Sequence, residues 1–366
     1  MRVLFLTACL IALVPLFNIL TPMIQANETA SNMTLFPADD PNIQYMGRID
    51  FSDPKAPKFW APGVTIKAKF EGPTCDLLIN DQVLWGNSHN WIEVVIDGSA
   101  PVRMQTTGAV NDIPVATGLA DGTHTITVCK DTESGIGWLQ FIGFRCRDLL
   151  PMPRAPLRKI EFIGDSITVG DKSDQSAEPC GEGQWYDQQN NYMSYGPTTA
   201  RTLGARWQIT AVSGIGLVHS CCGMTFAMPD VFDKLNDRPD GSQWDFSRYQ
   251  PDVATICLGQ NDGEMDPGQF DSAYVSFIKQ VRSAYPHAQI VCLTSPMADS
   301  NLCAYQKENL TKIVADVNAA GDSKVHCFFF SRQYDGGCGG HPDVRSHQLI
   351  AAELSGYLKP LMHWRT

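Results

Sequence analysis

Residues 159–170, KIEFIGDSITVG, join a short apolar run to a Gly-Asp-Ser tripeptide and then to residues typical of a helix entrance. The apolar run predicts a buried β-strand, and Gly164 permits a sharp exit from it. Ser166 would then lie beyond the carboxyl end of the strand, where open α/β sheets bind ligands. Its backbone N–H would be near a helix N-terminus, which stabilises developing negative charge. The alternative is an ordinary strand-to-helix turn in which Ser166 only caps the helix.

Strands and helices alternate from residue 159 to the end of the chain. Five strands separated by helices predict a doubly wound parallel five-stranded sheet with right-handed crossovers, an α/β fold. After the first strand, apolar runs predict strands at 207–212, 253–258, 289–293 and 325–330, and helical spacing predicts helices at 195–205, 270–284, 307–320 and 344–362.

The preceding part of the chain has the pattern of an all-β domain at 41–148. Val64, Ile66, Ala68 and Phe70 alternate with polar residues, as expected for half-buried strands. The dipeptides Asp97-Gly98 and Asp121-Gly122 predict hairpin turns. Short strands with frequent turn signals indicate a β-sandwich or jelly roll. The proline-dense segment 149–157 predicts a semi-rigid linker to the α/β domain at 158–366.

The N-terminus predicts a secretory signal peptide at 1–26. Arg2 precedes an apolar run that continues to Leu20, and Ala26 provides a small residue before a cut at Asn27. A signal anchor is the alternative, but Pro15 and Asn18 interrupt the run. The chain has 12 cysteines, many for a reduced cytosolic enzyme, which fits an oxidising compartment. We therefore expect a secreted, extracellular protein.

The charge of the chain limits its partners. The formal net charge is −11, and removal of residues 1–26 deletes Arg2 and no acid, which gives −12. This balance disfavours nucleic acid and anionic polymers and suits neutral substrates. No HExxH motif, spaced Cys–His cluster or P-loop occurs, so no cofactor or metal is predicted. We expect a monomer without membrane contact after signal removal. In a eukaryotic host, Asn27, Asn32 and Asn309 would be candidate glycosylation sites.

Three further residues follow predicted strands and are candidates for chemistry. Gly214 follows the second strand, and its backbone could approach an oxyanion closely because it has no Cβ. Asn261 follows the third strand and offers a neutral amide donor. His341 follows the fifth strand as a possible base. Taken singly, each has an ordinary alternative, namely a flexible loop, a polar turn or a histidine without a catalytic role.

Together, Ser166, Gly214, Asn261 and His341 stand in the blocks Gly-Asp-Ser, Gly, Gly-x-Asn-Asp and His-Pro. This order resembles the SGNH (GDSL-type) hydrolase superfamily over residues 159–361. The resemblance implies that Ser166 is the nucleophile and that His341 acts as general base and then as general acid. It also implies an oxyanion hole formed by the N–H groups of Ser166 and Gly214 and the side chain of Asn261. Loss of one such donor costs about 10²–10³ in rate.

The sequence departs from this superfamily at one informative position. Most members carry an aspartate three residues before the histidine, and here that position is Cys338. Asp335 and Asp343 are possible substitutes, but neither has the usual spacing. A backbone carbonyl of the loop 338–340 could orient His341 instead. We prefer this Ser–His dyad, and a triad completed by one of the two aspartates stays open.

The β-sandwich and the block GCGGHP at 337–342 are similar to carbohydrate esterase family 2. This resemblance implies removal of O-acetyl groups from polysaccharides or oligosaccharides, with acetylated xylan and glucomannan as natural candidates, as in an acetylxylan esterase. Two other functions remain open. One is a lipid or thioester hydrolase on the same scaffold, and the other is a carbohydrate-binding protein with a slow esterase site.

A long insertion, 171–195, separates the nucleophile from the next helix. It carries Trp185, Tyr186 and Tyr192, whose rings could stack on the apolar faces of sugars and wall a glycan cleft. The alternative is that these rings only pack on the domain surface. His347 lies on the predicted last helix, six residues beyond His341, and we expect it to pack or hydrogen bond rather than to act in catalysis.

Overall fold

The structure, a computed structural model, describes residues 33–364. The predicted signal peptide at 1–26 and the sequons at Asn27 and Asn32 lie outside these residues. Residues 34–364 belong to one compact unit, which includes both sheets described below.

The first part of this unit is an antiparallel sheet of nine strands. The all-β prediction is confirmed. The spatial order is β1-β9-β4-β8-β5-β6, with β2 and β7 also paired to β4 and β3 paired to β9. The strands are β1 (Thr34–Pro37), β2 (Gln44–Met46), β3 (Lys58–Phe59), β4 (Thr65–Asp81), β5 (Trp91–Ile96), β6 (Val102–Gln105), β7 (Val110–Ala116), β8 (Thr123–Lys130) and β9 (Leu139–Leu150).

The long strand β4 organises this sheet. Ile66, Phe70 and Leu77 on β4 are buried and belong to one apolar core with residues of the partner strands. The Asp97-Gly98 turn joins β5 to β6, which pair as a hairpin, as predicted. Asp121-Gly122 does not join paired strands, because β7 and β8 each pair with a different half of β4. The prediction of a hairpin there is wrong, since two consecutive strands need not be neighbours in a sheet.

The second part is a parallel sheet covered by helices, which confirms the doubly wound prediction. Its order is β11-β10-β12-β13-β14, and each of its strand pairs is parallel. The strands are β10 (Lys159–Gly164), β11 (Arg206–Ala211), β12 (Val253–Cys257), β13 (Gln289–Leu293) and β14 (Val325–Phe328). The helices are α1 (Ser166–Val169), α2 (Tyr195–Thr202), α3 (Met228–Val231), α4 (Pro267–Ala284), α5 (Ser300–Ala319) and α6 (Val344–Leu361).

Helix α5 begins earlier than the residue 307 that its apolar spacing predicts. The cause is a helix cap, because the side chain of Asp299 accepts hydrogen bonds from the backbone N–H groups of Asn301 and Leu302. Among residues 33–364, no helix is long and apolar enough to cross a membrane.

A buried ion pair joins the two sheets at strand β10. Arg48 follows β2, and its Nη2 lies 3.1 Å from Oε1 of Glu161 on β10, with both side chains fully buried. Arg48 also donates to the backbone oxygens of Phe232 and Lys234. Loss of one partner would leave a buried charge uncompensated, at a cost of about 3–5 kcal/mol. The antiparallel sheet is thereby attached to β10, the strand that precedes Ser166 in the chain.

The cysteines of the described chain divide into two disulfides and a set of free thiols. The disulfides are Cys180–Cys338 and Cys221–Cys222. Cys257 and Cys292 are free and buried in the parallel sheet, as predicted from their apolar surroundings.

Candidate active site

The register of the parallel sheet brings three predicted site residues to one edge. Gly164 at the end of β10 pairs with Ala211 of β11 on one side and with Cys257 of β12 on the other. The carboxyl ends of these three strands are therefore level, and the loops that follow them meet. Ser166, Gly214 and Asn261 lie in those loops and line one cavity.

Ser166 is the first residue of the short helix α1. Asp165 is the cap of that helix, since its side chain accepts a hydrogen bond from the N–H of Ile167 at 3.0 Å. The hydroxyl of Ser166 is thus not used for capping. Gly164 is required by packing rather than by the turn, because a Cβ there would lie 2.1 Å from Oγ1 of Thr168. Burial raises the pKa of Asp165 to about 7.

His341 lies beside Ser166, although it belongs to the connection between β14 and α6. Its Nε2 is 3.0 Å from Oγ of Ser166, within hydrogen-bond distance. Burial, and then the positive charge of Lys172, lower the pKa of His341 to about 4. The imidazole is therefore neutral near pH 7 and can accept the proton of the serine hydroxyl.

The other ring nitrogen of His341 has no carboxylate partner. Its Nδ1 is buried and forms no hydrogen bond to any described residue. The backbone carbonyls of Gly339 and Cys338 act against the lowering of the pKa of His341, although neither meets hydrogen-bond geometry. Asp343 instead accepts a hydrogen bond from the N–H of Ser346 and caps α6. Asp335 is exposed to solvent.

The loop that carries His341 is attached to the insertion that follows Ser166 and helix α1. The Cys180–Cys338 disulfide joins the two segments. The N–H of Cys338 also donates to the carbonyl of Lys172 at 3.1 Å. Within the loop, the N–H of Gly337 donates to the carbonyl of His341 at 2.6 Å. These contacts fix the backbone of the histidine.

Gly214 has a backbone conformation that favours glycine. Its φ of 81° is in the left-handed region, and a Cβ there would lie 2.6 Å from Sγ of Cys221. Its carbonyl accepts a hydrogen bond from the N–H of Cys221, whereas its own N–H bonds to no described residue. Asn261 is close by, and its Nδ2 donates to the carbonyl of Ile215 at 2.8 Å. The second hydrogen of that amide has only a 3.5 Å contact, to Asp165.

These residues line a cavity of about 440 Å³. A larger depression of about 770 Å³ near Phe246 and Gln250 lacks both Ser166 and His341, so we place the site in the smaller cavity. Its walls combine charged groups with the sulfurs of the Cys221–Cys222 disulfide. The charged residues that line it are Glu133, Asp171, Lys172 and Arg238.

Of Trp185, Tyr186 and Tyr192 in the insertion, only Trp185 lines this cavity. Its side chain is 54% exposed and lines the cavity wall. Tyr186 is buried with Trp91, and its hydroxyl accepts a hydrogen bond from the N–H of His89. Tyr192 is buried beneath the guanidinium of Arg201, 3.9 Å from the ring centroid. The interpretation of these two tyrosines as a cleft wall is therefore wrong, because both rings are covered by protein.

Two other polar residues also have structural environments. Asn309 lies on α5, only 6% exposed, and its Nδ2 donates to the carbonyl of Tyr305 at 2.7 Å. This contact contradicts Asn309 as a glycosylation site, because the reacting amide is buried and bonded. His347 is buried, and its Nδ1 accepts a hydrogen bond from the N–H of Tyr195 at 3.2 Å, as expected for a packing residue.

Sequence reasoning missed several residues that line the cavity. Lys172 directly follows the nucleophile segment, and its position at the start of the insertion was the available signal. Glu133 and Arg238 had no local signal, because they come from segments far from the nucleophile in sequence. The Cys221–Cys222 disulfide was also missed, since adjacent cysteines do not by themselves predict a bond.

The fold and the site define an SGNH-type hydrolase of the GDSL class. Residues 162–330 match the model of the GDSL-like Lipase/Acylhydrolase family, and residues 45–153 match the model of the carbohydrate esterase 2 N-terminal domain.

The chain belongs to carbohydrate esterase family 2. It resembles the solved structure of a family two carbohydrate esterase from Clostridium thermocellum in complex with cellohexaose, with a TM-score of 0.81 and 33% identity over 88% of this chain and 100% of that one. An acetylxylan esterase / glucomannan deacetylase of Cellvibrio japonicus is 28% identical over 89% of this chain and 91% of its own length. The cellulase/esterase CelE of Acetivibrio thermocellus is 36% identical over 89% of this chain, which spans 40% of that relative's length.

Proposed function

We propose that this protein removes O-acetyl groups from acetylated polysaccharides or oligosaccharides, with xylan and glucomannan as the substrate class. The observation that carries the proposal is the 3.0 Å approach of His341 to Ser166 in a cavity that also presents Gly214 and Asn261. Membership of carbohydrate esterase family 2 supports the sugar ester as substrate.

In the proposed reaction, Oγ of Ser166 attacks the acetyl carbonyl carbon while Nε2 of His341 takes the hydroxyl proton. The oxyanion of the tetrahedral intermediate accepts hydrogen bonds from the N–H groups of Ser166 and Gly214 and from the Asn261 amide. When the intermediate collapses, the C–O bond to the sugar breaks, and His341 returns its proton to the sugar oxygen. Water then attacks the acetyl-enzyme with His341 again as base, and acetate leaves with regeneration of Ser166.

We propose that Ser166 and His341 act as a dyad. The support is the position of the carboxylates, since Asp343 is engaged at the start of α6 and Asp335 is exposed. In a triad, the carboxylate selects the tautomer and stabilises the imidazolium. Here the backbone carbonyls of the loop 338–340 would favour a proton on Nδ1, and the disulfide to Cys180 would hold that loop in place.

The character of the cavity favours a short acyl group on a sugar over a fatty acyl chain. The half-buried Lys172 and Arg238 on its walls would have to be desolvated by a long acyl chain, at an unfavourable free energy. Trp185 offers an exposed indole on the wall of the cavity that contains Ser166, suited to the apolar face of a sugar ring.

Hydrolysis of p-nitrophenyl acetate, butyrate and octanoate by the wild-type protein tests this function. The proposal predicts the highest kcat/KM for acetate and a steep fall with chain length. A preference for octanoate would indicate a lipid hydrolase, and no turnover of any ester would indicate a carbohydrate-binding protein. Either result would contradict the proposal. Ser166→Ala should abolish this hydrolysis. Ser272→Ala, at an exposed serine of α4, is the matched control and should keep the wild-type activity.

A further inference from the structure

Glu133 connects the antiparallel sheet to the candidate oxyanion hole. It lies in the connection between β8 and β9 and is 2% exposed. Its Oε2 accepts a hydrogen bond from the backbone N–H of Ser213 at 2.6 Å. Ser213 directly precedes Gly214, so this contact is one peptide unit away from the N–H expected to bind the oxyanion.

The carboxylate of Glu133 is held by a second residue. Its Oε1 accepts a hydrogen bond from Nε2 of Gln189 at 3.2 Å. In return, the backbone N–H of Glu133 donates to Oε1 of Gln189 at 3.0 Å. The carbonyl of Glu133 also accepts a hydrogen bond from Nζ of the buried Lys130. The backbone and both carboxylate oxygens are thus engaged, which leaves the side chain little freedom to move.

Burying the carboxylate of Glu133 costs free energy of desolvation. Its hydrogen bonds with Ser213 and Gln189 offset that cost as long as both partners stay in place. Burial raises the pKa of Glu133, whereas the N–H of Ser213 and the charge of Arg238 favour the ionised form. An apolar side chain at this position would avoid the desolvation, but it would leave the N–H of Ser213 without an acceptor. The structure thus places an ionisable group where the loop before Gly214 needs an acceptor.

The Ser213–Gly214 unit is held at both ends. The N–H of Ser213 is bound by Glu133, and the carbonyl of Gly214 is bound by the N–H of Cys221 at 2.8 Å. Gly214 has a φ of 81°. Glycine adopts positive and negative φ about equally readily, so the residue does not by itself select this conformation. The direction of its N–H is therefore set by the contacts around it rather than by the residue itself, and these contacts also include the turn bond from the N–H of Ile215 to the carbonyl of Val212 at 3.2 Å.

We propose that Glu133 is a positioning residue that aims the N–H of Gly214 at the oxyanion, so that the β-sheet domain completes the active site of the α/β domain. This role rests on the proposed function, since it presupposes an oxyanion at this place. A displacement of about 1 Å at a catalytic group can cost about 10²-fold in rate, so a small shift of the loop would be measurable.

Three variants test the proposal in p-nitrophenyl acetate hydrolysis. Glu133→Ala removes the acceptor and should lower kcat roughly 10- to 100-fold with little change in KM, because a misaligned donor weakens binding of the transition state only. Glu133→Asp keeps the charge but shortens the reach and should show the same pattern. Glu133→Gln keeps an oxygen acceptor for Ser213 and should retain most of the wild-type kcat.

Glu93→Ala is the matched control. Glu93 lies on β5, is equally buried at 3% exposure, and accepts a hydrogen bond from Asn190 at 3.0 Å without lining the cavity. The Glu93→Ala substitution should lower the melting temperature but leave kcat close to the wild-type value. Combination of Glu133→Ala with Gly214→Ala should cost little beyond Gly214→Ala alone, because both act through one donor.

The proposal is overturned if folded Glu133→Ala or Glu133→Asp keeps the wild-type kcat, if only KM changes, or if the losses of the double mutant are additive. It is also overturned if Glu93→Ala loses kcat to the same extent, since the effect would then belong to buried acids in general. If the wild-type protein hydrolyses no ester, the proposed function is contradicted, and so is the role of Glu133 that depends on it. An active wild type with an unaffected Glu133→Ala contradicts the positioning role alone.

Discussion

Nε2 of His341 lies 3.0 Å from Oγ of Ser166, although 175 residues separate them in the chain. One structural feature positions the end of β10, and another holds the loop that carries His341. The parallel register places the end of β10 beside the ends of its neighbours, and the Cys180–Cys338 disulfide fixes the histidine loop against the insertion. The contact between the two side chains therefore joins the end of β10 to a loop that a covalent link outside the sheet holds.

The first prediction concerns the nucleophile and the base. Ser166→Ala should abolish hydrolysis of p-nitrophenyl acetate, and His341→Ala should lower kcat about as far, because each residue is ineffective without the other. The double mutant should lose no more than either single mutant. Steady-state kinetics measure this, and circular dichroism checks the fold. Substantial turnover by well-folded Ser166→Ala would show that the nucleophile lies elsewhere.

The second prediction tests the dyad. Asp335→Asn and Asp343→Asn should each lower kcat/KM less than about tenfold, since neither carboxylate reaches Nδ1 of His341. Asparagine at 343 keeps the cap of α6, because its side-chain oxygen can still accept from the N–H of Ser346. Loss of a true orienting aspartate costs about 10⁴ in a triad enzyme. A drop of about a thousandfold in one folded variant would identify that aspartate as a third member.

The third prediction concerns pH. His341 is active as a base when neutral, so kcat/KM should fall as the pH drops through its pKa of about 4 rather than through the usual value near 6.5. Lys172→Met removes a positive charge that lowers this pKa, so the acidic limb of the profile should move to higher pH. Lys279→Met, at an exposed lysine of α4, should leave the profile in place. A limb that stays fixed in Lys172→Met would show that another group controls it.

Much of the fold follows from local patterns, whereas the site depends on contacts that such patterns do not contain. The strand at 159–164 and the polar residues after each later strand predict a shared edge, because parallel strands align their carboxyl ends. The hydrogen bond from Ser213 to Glu133 has no local signature, since its partners come from different sheets. The burial of Tyr186 and Tyr192 has no local signature either, because composition shows that a ring is present but not which way it points.

The fourth prediction concerns export, which we propose from Arg2, the apolar run after it and Ala26. The disulfide Cys180–Cys338 beside the site supports an oxidising compartment. N-terminal sequencing of protein from the culture medium should begin at Asn27. Recovery of the intact apolar run in the membrane fraction would favour a signal anchor instead.

The most direct test of the central claim is the release of acetate from acetylated xylan and acetylated glucomannan. The wild-type protein should release acetate from at least one of the two polysaccharides without shortening its chain, and Ser166→Ala should release none. Ser272→Ala should match the wild type. If the wild-type protein hydrolyses p-nitrophenyl acetate but releases no acetate from either polysaccharide, the account of this protein as a polysaccharide deacetylase is contradicted.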